Sequence, residues 1–115
     1  MPRKTLGLIE KVKVFGDSVS EVIARIDTGA ERSSIDSSLL KSLKLPISDH
    51  TKKIRSAAGV NRRPLSEIEV SIVGKKLKGV FTVADRSRMK YPLLIGQNIL
   101  KEGAFIIDPL KETKL

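Results

Sequence analysis

The stretch Ile23-Ala24-Arg25-Ile26 has the apolar, β-branched character of a strand, and it runs directly into Asp27-Thr28-Gly29-Ala30. An acidic residue, a hydroxyl and a glycine are thereby delivered into one sharp turn at a strand end. Each residue type has a physical use there. A carboxylate can activate water, a hydroxyl can anchor the loop, and a glycine without Cβ lets another backbone come close. The chain carries this constellation once. A weak echo follows later, where Leu93-Leu94-Ile95 runs into Gly96 and a short helical pattern, but this second unit has no Asp.

A single copy has a structural consequence. Asp-Thr-Gly after a β-strand is the way aspartic peptidases present a carboxylate, and their chemistry needs two carboxylates sharing one proton. With one such turn in 115 residues, the second Asp27 has to come from another subunit across a two-fold axis, through an isologous interface. The expected active unit is a homodimer. Length also sets the organisation: 115 residues make a single domain, 1–115.

Hydrophobic residues at 40% and charged residues at 30% fit a globular domain and argue against disorder. The absence of cysteine excludes disulfides and thiolate metal sites, and the N-terminal segment lacks the apolar stretch of a secretory signal, so a cytoplasmic location is expected. No run approaches the roughly 20 apolar residues of a membrane span. Net charge is +9, with basic clusters at Lys52-Lys53-Arg55, Arg62-Arg63, Lys75-Lys76-Lys78 and Arg86-Arg88-Lys90. Such a balance attracts acidic partners, either an acidic peptide or nucleic acid, unless it is a solvated lysine-rich surface. Aromatic residues at 3% leave few platforms for base stacking, which weighs against nucleic acid.

The secondary-structure pattern is mostly β. Residues 6–14 and 18–26 read as strands joined by Phe15-Gly16-Asp17-Ser18. Residues 36–43 read as a short helix capped by Asp36 or Ser37, with Pro46 beyond its end. Residues 52–65 form a basic extended segment around Ala57-Ala58-Gly59. Residues 68–73 and 77–84 are strands about a Gly74-Lys75 turn, 91–96 a buried strand ending on glycine, 97–101 one helical turn, and 105–107 a last strand.

Asp27-Thr28-Gly29-Ala30, followed by Leu93-Leu94-Ile95-Gly96-Gln97-Asn98-Ile99-Leu100, resembles the retropepsin-like aspartic proteases over nearly the whole chain. More narrowly, Arg25 to Ala30 with Asp85 to Gly96 and Phe105-Ile106-Ile107-Asp108-Pro109 resembles the ATP-dependent zinc protease family associated with RimK- or LysX-type ligases. The resemblance implies a homodimeric acid-protease barrel with one or two short helices and an endopeptidase without cofactor. It assigns Asp27 as the catalytic carboxylate, with Thr28 bonding across the dimer axis and Gly29 admitting substrate. It further implies a flap at about 52–65, substrate contacts from Ala30, Glu31, Ala58, Gly59 and Val60, and a structural Gly96.

Zinc and ATP find little support in the residues. His50 is the one histidine, there is no cysteine, and no Gly-rich phosphate loop is present, so neither a metal nor a nucleotide site is expected. Two positions depart from the retropepsin pattern, with Glu31 and Gln97 standing where Asp and Arg are common. An ion pair bracing the dimer is therefore not expected. Asp85-Arg86 reads as an ion pair or turn, and Asp36 and Asp108 as a helix cap and a loop acid. The alternative to an enzyme is a non-catalytic module of the same fold that binds peptide or nucleic acid.

Overall fold

The computed structural model describes residues 2–48, 51–56 and 59–114, with backbone alone over 51–62. Alternation of apolar and polar residues builds the first hairpin. Strand β2 (Ile9–Phe15) turns its Val12 and Val14 inward and pairs antiparallel with β3 (Val19–Ile26), from Phe15↔Val19 to Ile9↔Arg25. The turn between them closes on the next element, because Asp17 N–H donates to Leu43 O at 3.0 Å.

Beyond the Asp27 turn come β4 (Ser33–Asp36) and helix α1 (Ser37–Ser42), whose N-cap Asp36 accepts from Ser38 N–H. Strand β5 (Thr51–Ser56) pairs with β6 (Gly59–Ile72), and β6 pairs with β7 (Lys75–Ala84) in a register running from Leu65↔Thr82 to Ile72↔Lys75. Then follow β8 (Leu93–Ile95), helix α2 (Gln97–Glu102) and β9 (Ile106–Ile107), the last paired in parallel with β1 (Thr5–Leu6).

The main sheet has the order β2-β3-β8-β4-β7-β6-β5, and an added β2–β6 pairing from Val12↔Ile72 to Phe15↔Glu69 closes its first six strands into a barrel. Closure removes free edges from those strands. Inside lie Val12, Val14, Ala24, Ile26, Ile35, Ile68, Val70, Phe81, Leu93 and Ile95, with Leu40 and Leu43 from α1 and Ile99 from α2 extending the same core. Among the described residues no helix is long and apolar enough to cross a membrane.

The expected elements are present, with three corrections. Residues 6–14 are two strands, because the chain leaves β1 at Gly7, whose N–H donates to the buried Glu10 carboxylate at 2.7 Å, before entering β2. The β6–β7 turn is centred on Val73-Gly74, with φ of 45° and 81°, so Val73 lies in the turn and not in the strand. Strand β4 is absent from the expected pattern: its buried serines carry no apolar alternation. His50 and Ala58 lie outside the described residues.

Candidate active site

Asp27 sits where β3 ends, and the turn it opens is held by the strand and helix of the later echo. Strands β3 and β8 run parallel with Ala24↔Leu93, Arg25↔Leu94 and Ile26↔Ile95 in register, so the Asp27 turn and Gly96 emerge side by side. Asp27 N–H donates to Ile95 O at 2.9 Å and Gln97 N–H to Ala30 O at 2.7 Å, tying the turn down at both ends. Asn98 N–H adds a bond to Glu31 O at 3.2 Å, and Gln97 Nε2 reaches Thr28 O at 2.8 Å.

Within the turn, Gly29 N–H donates to Asp27 Oδ1 at 2.9 Å, which fixes the carboxylate's orientation while leaving it half-buried and open to one side. Thr28 and Gly29 are exposed, and among the described residues the Thr28 hydroxyl has no partner. Gly96 is required for space. A Cβ there would lie 2.6 Å from Arg32 O, 2.7 Å from Arg32 C and 2.8 Å from Ala30 O, all main-chain atoms. Gly29 is different, because a Cβ would meet only Asp27 Oδ1 at 3.3 Å.

Two supporting residues escaped the sequence reading. Buried Ser33 accepts from Gly96 N–H at 2.9 Å and donates to Asn98 Oδ1 at 2.9 Å, while Asn98 Nδ2 donates to Val80 O at 2.8 Å. This network joins β4, β7 and the start of α2 beneath the turn. Its signal was weak, since a serine inside a four-residue strand and an asparagine in a helical turn follow no periodicity.

Asp36 does more than cap α1. Its Oδ2 accepts from Ser38 N–H at 3.1 Å and its Oδ1 from the buried Arg86 N–H at 2.8 Å, while Arg86 Nε donates to Tyr91 O at 3.1 Å. Asp85 makes no ion pair with Arg86. It accepts from Ser87 N–H at 2.9 Å instead, and the Ser87 side chain and backbone together hold its carboxyl below the ordinary aspartate value. Burial pulls the Arg86 guanidinium below its ordinary value; Asp36 opposes this, and the like charges of Arg63 and Arg25 add to it.

Cavities flank α2 on both sides of the turn. One, of about 410 Å³, is bounded by Thr28, Gln97, Leu100, Ala104, Phe105 and Ile107 with Arg3 and Lys101 also lining it. The other, of about 520 Å³, is polar and includes Glu31, Arg32, Lys78 and Asn98. Of the expected site residues, Asp27, Thr28, Gly29, Ala30, Glu31 and Gly96 thus lie together around one turn. Gly59 and Val60 open β6 in the β5–β6 hairpin, a separate part of the chain.

A closed six-stranded barrel with an Asp-Thr-Gly turn seated against a glycine strand end defines a retropepsin-like aspartic protease domain. The family model of RimB-like proteins, described as the retropepsin-like aspartic endopeptidase RimB, matches residues 37–114, about two thirds of the chain. The chain belongs to that family. The matched span begins beyond the Asp27 turn.

No curated protein matches the chain in sequence. Among solved structures, it is similar to the Legionella pneumophila protein Lpg0085 of unknown function, with a TM-score of 0.73 at 17% identity over 98% of both chains. It is also similar to the protease of EIAV in complex with the inhibitor HBY-793, with a TM-score of 0.64 at 17% identity over 87% of this chain and 90% of that one. The simian foamy virus protease follows with a TM-score of 0.60 at 15% identity, covering 81% and 91%. At these identities the likeness is one of fold.

Proposed function

We propose that the protein is a homodimeric aspartic endopeptidase, formed by the single domain 1–115, in which two Asp27 carboxylates share a proton at the floor of a common cleft. One carboxylate takes a proton from the attacking water while the other gives its proton to the peptide carbonyl oxygen, so that a tetrahedral adduct forms without a covalent enzyme intermediate. The observation that carries this reading is the Asp27 turn itself. Its carboxylate is oriented by Gly29 N–H and accessible from one side, and the turn is clamped to β8 and α2 by main-chain bonds.

In this reading Thr28, whose hydroxyl is free within the described part of one chain, bonds to its counterpart across the axis. Gly29 admits the substrate backbone, Ala30 and Glu31 line the cleft, and the β5–β6 hairpin, in which Gly59 and Val60 open β6, closes over the substrate as a flap at about 52–65. Among the described residues no three His, Cys, Asp or Glu side chains gather to hold a metal ion, and the proposed mechanism uses neither zinc nor ATP. A chain without cysteine suits the reducing cytoplasm, where we place it.

The substrate in this reading is an acidic peptide. Side chains at i and i+2 of a strand, and those directly across from each other on neighbouring strands, share one face of a sheet. Arg25 therefore lies on the face of Asp27, and its register partner Leu94 is paired in turn with Ser34. Arg63 and Arg86 belong to the same electrostatic neighbourhood, and among the described residues none of the three makes an ion pair.

Replacing Asp27 by Asn tests the reading. Cleavage of glutamate-rich peptides, and its block by a pepstatin-type inhibitor, should be lost while dimerisation persists, because the amide keeps the Gly29 bond. Unchanged hydrolysis in the Asn variant would remove the mechanism. Salt-sensitive binding of acidic peptide with no cleavage by the wild type would identify the binding module instead.

A further inference from the structure

We infer that Arg86 and Ser34 together read one carboxylate side chain of the substrate, at a set distance from the bond that is cut. The inference deepens the acidic-peptide reading proposed above and rests on it. A diffuse positive charge along the cleft is met by acids anywhere in a peptide. Two buried groups without partners ask for an acid at one position.

Arg86 is only 9% exposed, and an arginine is almost never buried so far unless it is paired. Among the described residues it makes no ion pair. Asp36, the acid beside it, spends both carboxylate oxygens on main-chain donors, one on Ser38 N–H and one on Arg86 N–H. Arg25 and Arg63 add like charge, which Asp36 alone opposes. The guanidinium is pinned through Nε to Tyr91 O at 3.1 Å, and its two terminal nitrogens bond nothing among the described residues. A planar fork held in this way matches a carboxylate in both geometry and charge, and little freedom is lost when one binds.

Ser34 is 6% exposed, and its Oγ is the one buried side-chain nitrogen or oxygen among the described residues that has no hydrogen-bond partner. Such an orphan calls for a reason. Strand alternation turns Ser33 and Ile35 to one face of β4 and Ser34 and Asp36 to the other. Ser34 is paired with Leu94 and Leu94 with Arg25, which shares its face with Asp27. The hydroxyl therefore belongs to the face that carries the catalytic acid, two residues along β4 from the carboxylate that holds Arg86. A substrate carboxylate accepting from the Arg86 fork and from Ser34 O–H satisfies both groups, and the half-buried Leu94 offers apolar surface for its aliphatic stem. Two strand spacings, about 10 Å, separate the positions of Ser34 and Arg25, so the acid that is read lies within about four residues of the cut bond.

Octapeptides of alanine and glutamine that carry a single glutamate, placed at each position in turn, test this with the full chain. Mass spectrometry of the products is expected to find the cut at one constant spacing from the glutamate. The kcat/KM should exceed that of the all-neutral peptide about 100-fold, because a site built to hydrogen-bond rejects a ligand that leaves its buried donors unpaired. Ser34→Ala removes a hydroxyl that has no partner, so it should fold as well as the wild type while lowering the preference about tenfold. Arg86→Gln should abolish the preference, with circular dichroism checking its fold; where that variant does not fold, Ser34→Ala decides. Cuts unrelated to the glutamate, or variants that keep both the spacing and the preference, overturn this inference and leave the endopeptidase reading in place. If the wild type cuts none of the peptides, fluorescence anisotropy of the same set, dye-labelled, decides. Binding of the glutamate peptides tighter by about tenfold or more than the neutral one, and weakened in Ser34→Ala, keeps the inference while the endopeptidase reading falls; equal binding overturns both.

Discussion

Replacing Gly96 by Ala tests whether the turn and the strand end are packed as tightly as the geometry requires. The backbone at 96, with φ of −102°, accepts any residue, so the effect comes from space alone. The added methyl would lie 2.6–2.8 Å from Arg32 O, Arg32 C and Ala30 O. Because these are main-chain atoms, relief requires the segment entering β4 to move by roughly 0.5–1 Å to regain ordinary van der Waals separation. The same movement stretches the Gln97 N–H bond to Ala30 O and the Asn98 N–H bond to Glu31 O. Overpacking of this kind costs about 1–3 kcal/mol, and one or two weakened hydrogen bonds add about 1 kcal/mol each. A total of about 3 kcal/mol corresponds to a melting temperature lowered by roughly 10–15 °C for a domain of this size. Thermal unfolding followed by circular dichroism measures it. Gly29→Ala is the internal comparison, since its methyl meets only Asp27 Oδ1 at 3.3 Å; that variant should melt close to the wild type while losing peptide cleavage. A Gly96→Ala protein melting within about 3 °C of the wild type, less than the effect of 1 kcal/mol, would refute the close approach.

The adjacent serines of β4 should respond in opposite ways. Ser33→Ala orphans the buried Gly96 N–H and one Asn98 contact and should destabilise by about 2–3 kcal/mol. The buried Ser34 hydroxyl has no partner among the described residues, so Ser34→Ala should be neutral or stabilising by up to about 1 kcal/mol in urea unfolding. Asp36→Ala removes both the α1 cap and the acceptor for Arg86 N–H, and is expected to cost about 2–3 kcal/mol; an unchanged urea midpoint would show that neither bond matters.

What could be read from the sequence was what carries a local pattern. Alternating Val and Ile made β2, β3 and β7 legible, Asp36 before an apolar helical spacing marked α1, and the Asp-Thr-Gly turn with its later glycine located the site. The elements that were missed have non-local causes. Strand β4 is two serines, an isoleucine and an aspartate, and it is buried because β7 and β8 pair on either side of it. The break at Gly7 depends on Glu10 and Lys111, which lie at opposite ends of the chain. Ser33 and Asn98 are 65 residues apart, so their bond has no signature in either neighbourhood.

The parallel pairing of β3 with β8 also explains why one chain holds one carboxylate. The two strand ends lie in register, with Ile26 beside Ile95, so position 96 is the counterpart of position 27. At 27 the side chain has room, half-buried and bonded to Gly29 N–H, whereas at 96 the carbonyls of Ala30 and Arg32 occupy the place of a side chain. That closeness is what lets the Gln97 and Asn98 N–H groups clamp the turn carrying Asp27. The support of the first acid thus excludes a second acid at the matching position. A Gly96→Asp variant should accordingly fail to yield an active monomer and should lose at least as much stability as Gly96→Ala, about 3 kcal/mol or more. A folded, monomeric Gly96→Asp protein that cleaves peptides would show that a single chain can hold both acids, and that the two-fold arrangement is not forced by the packing at this strand end.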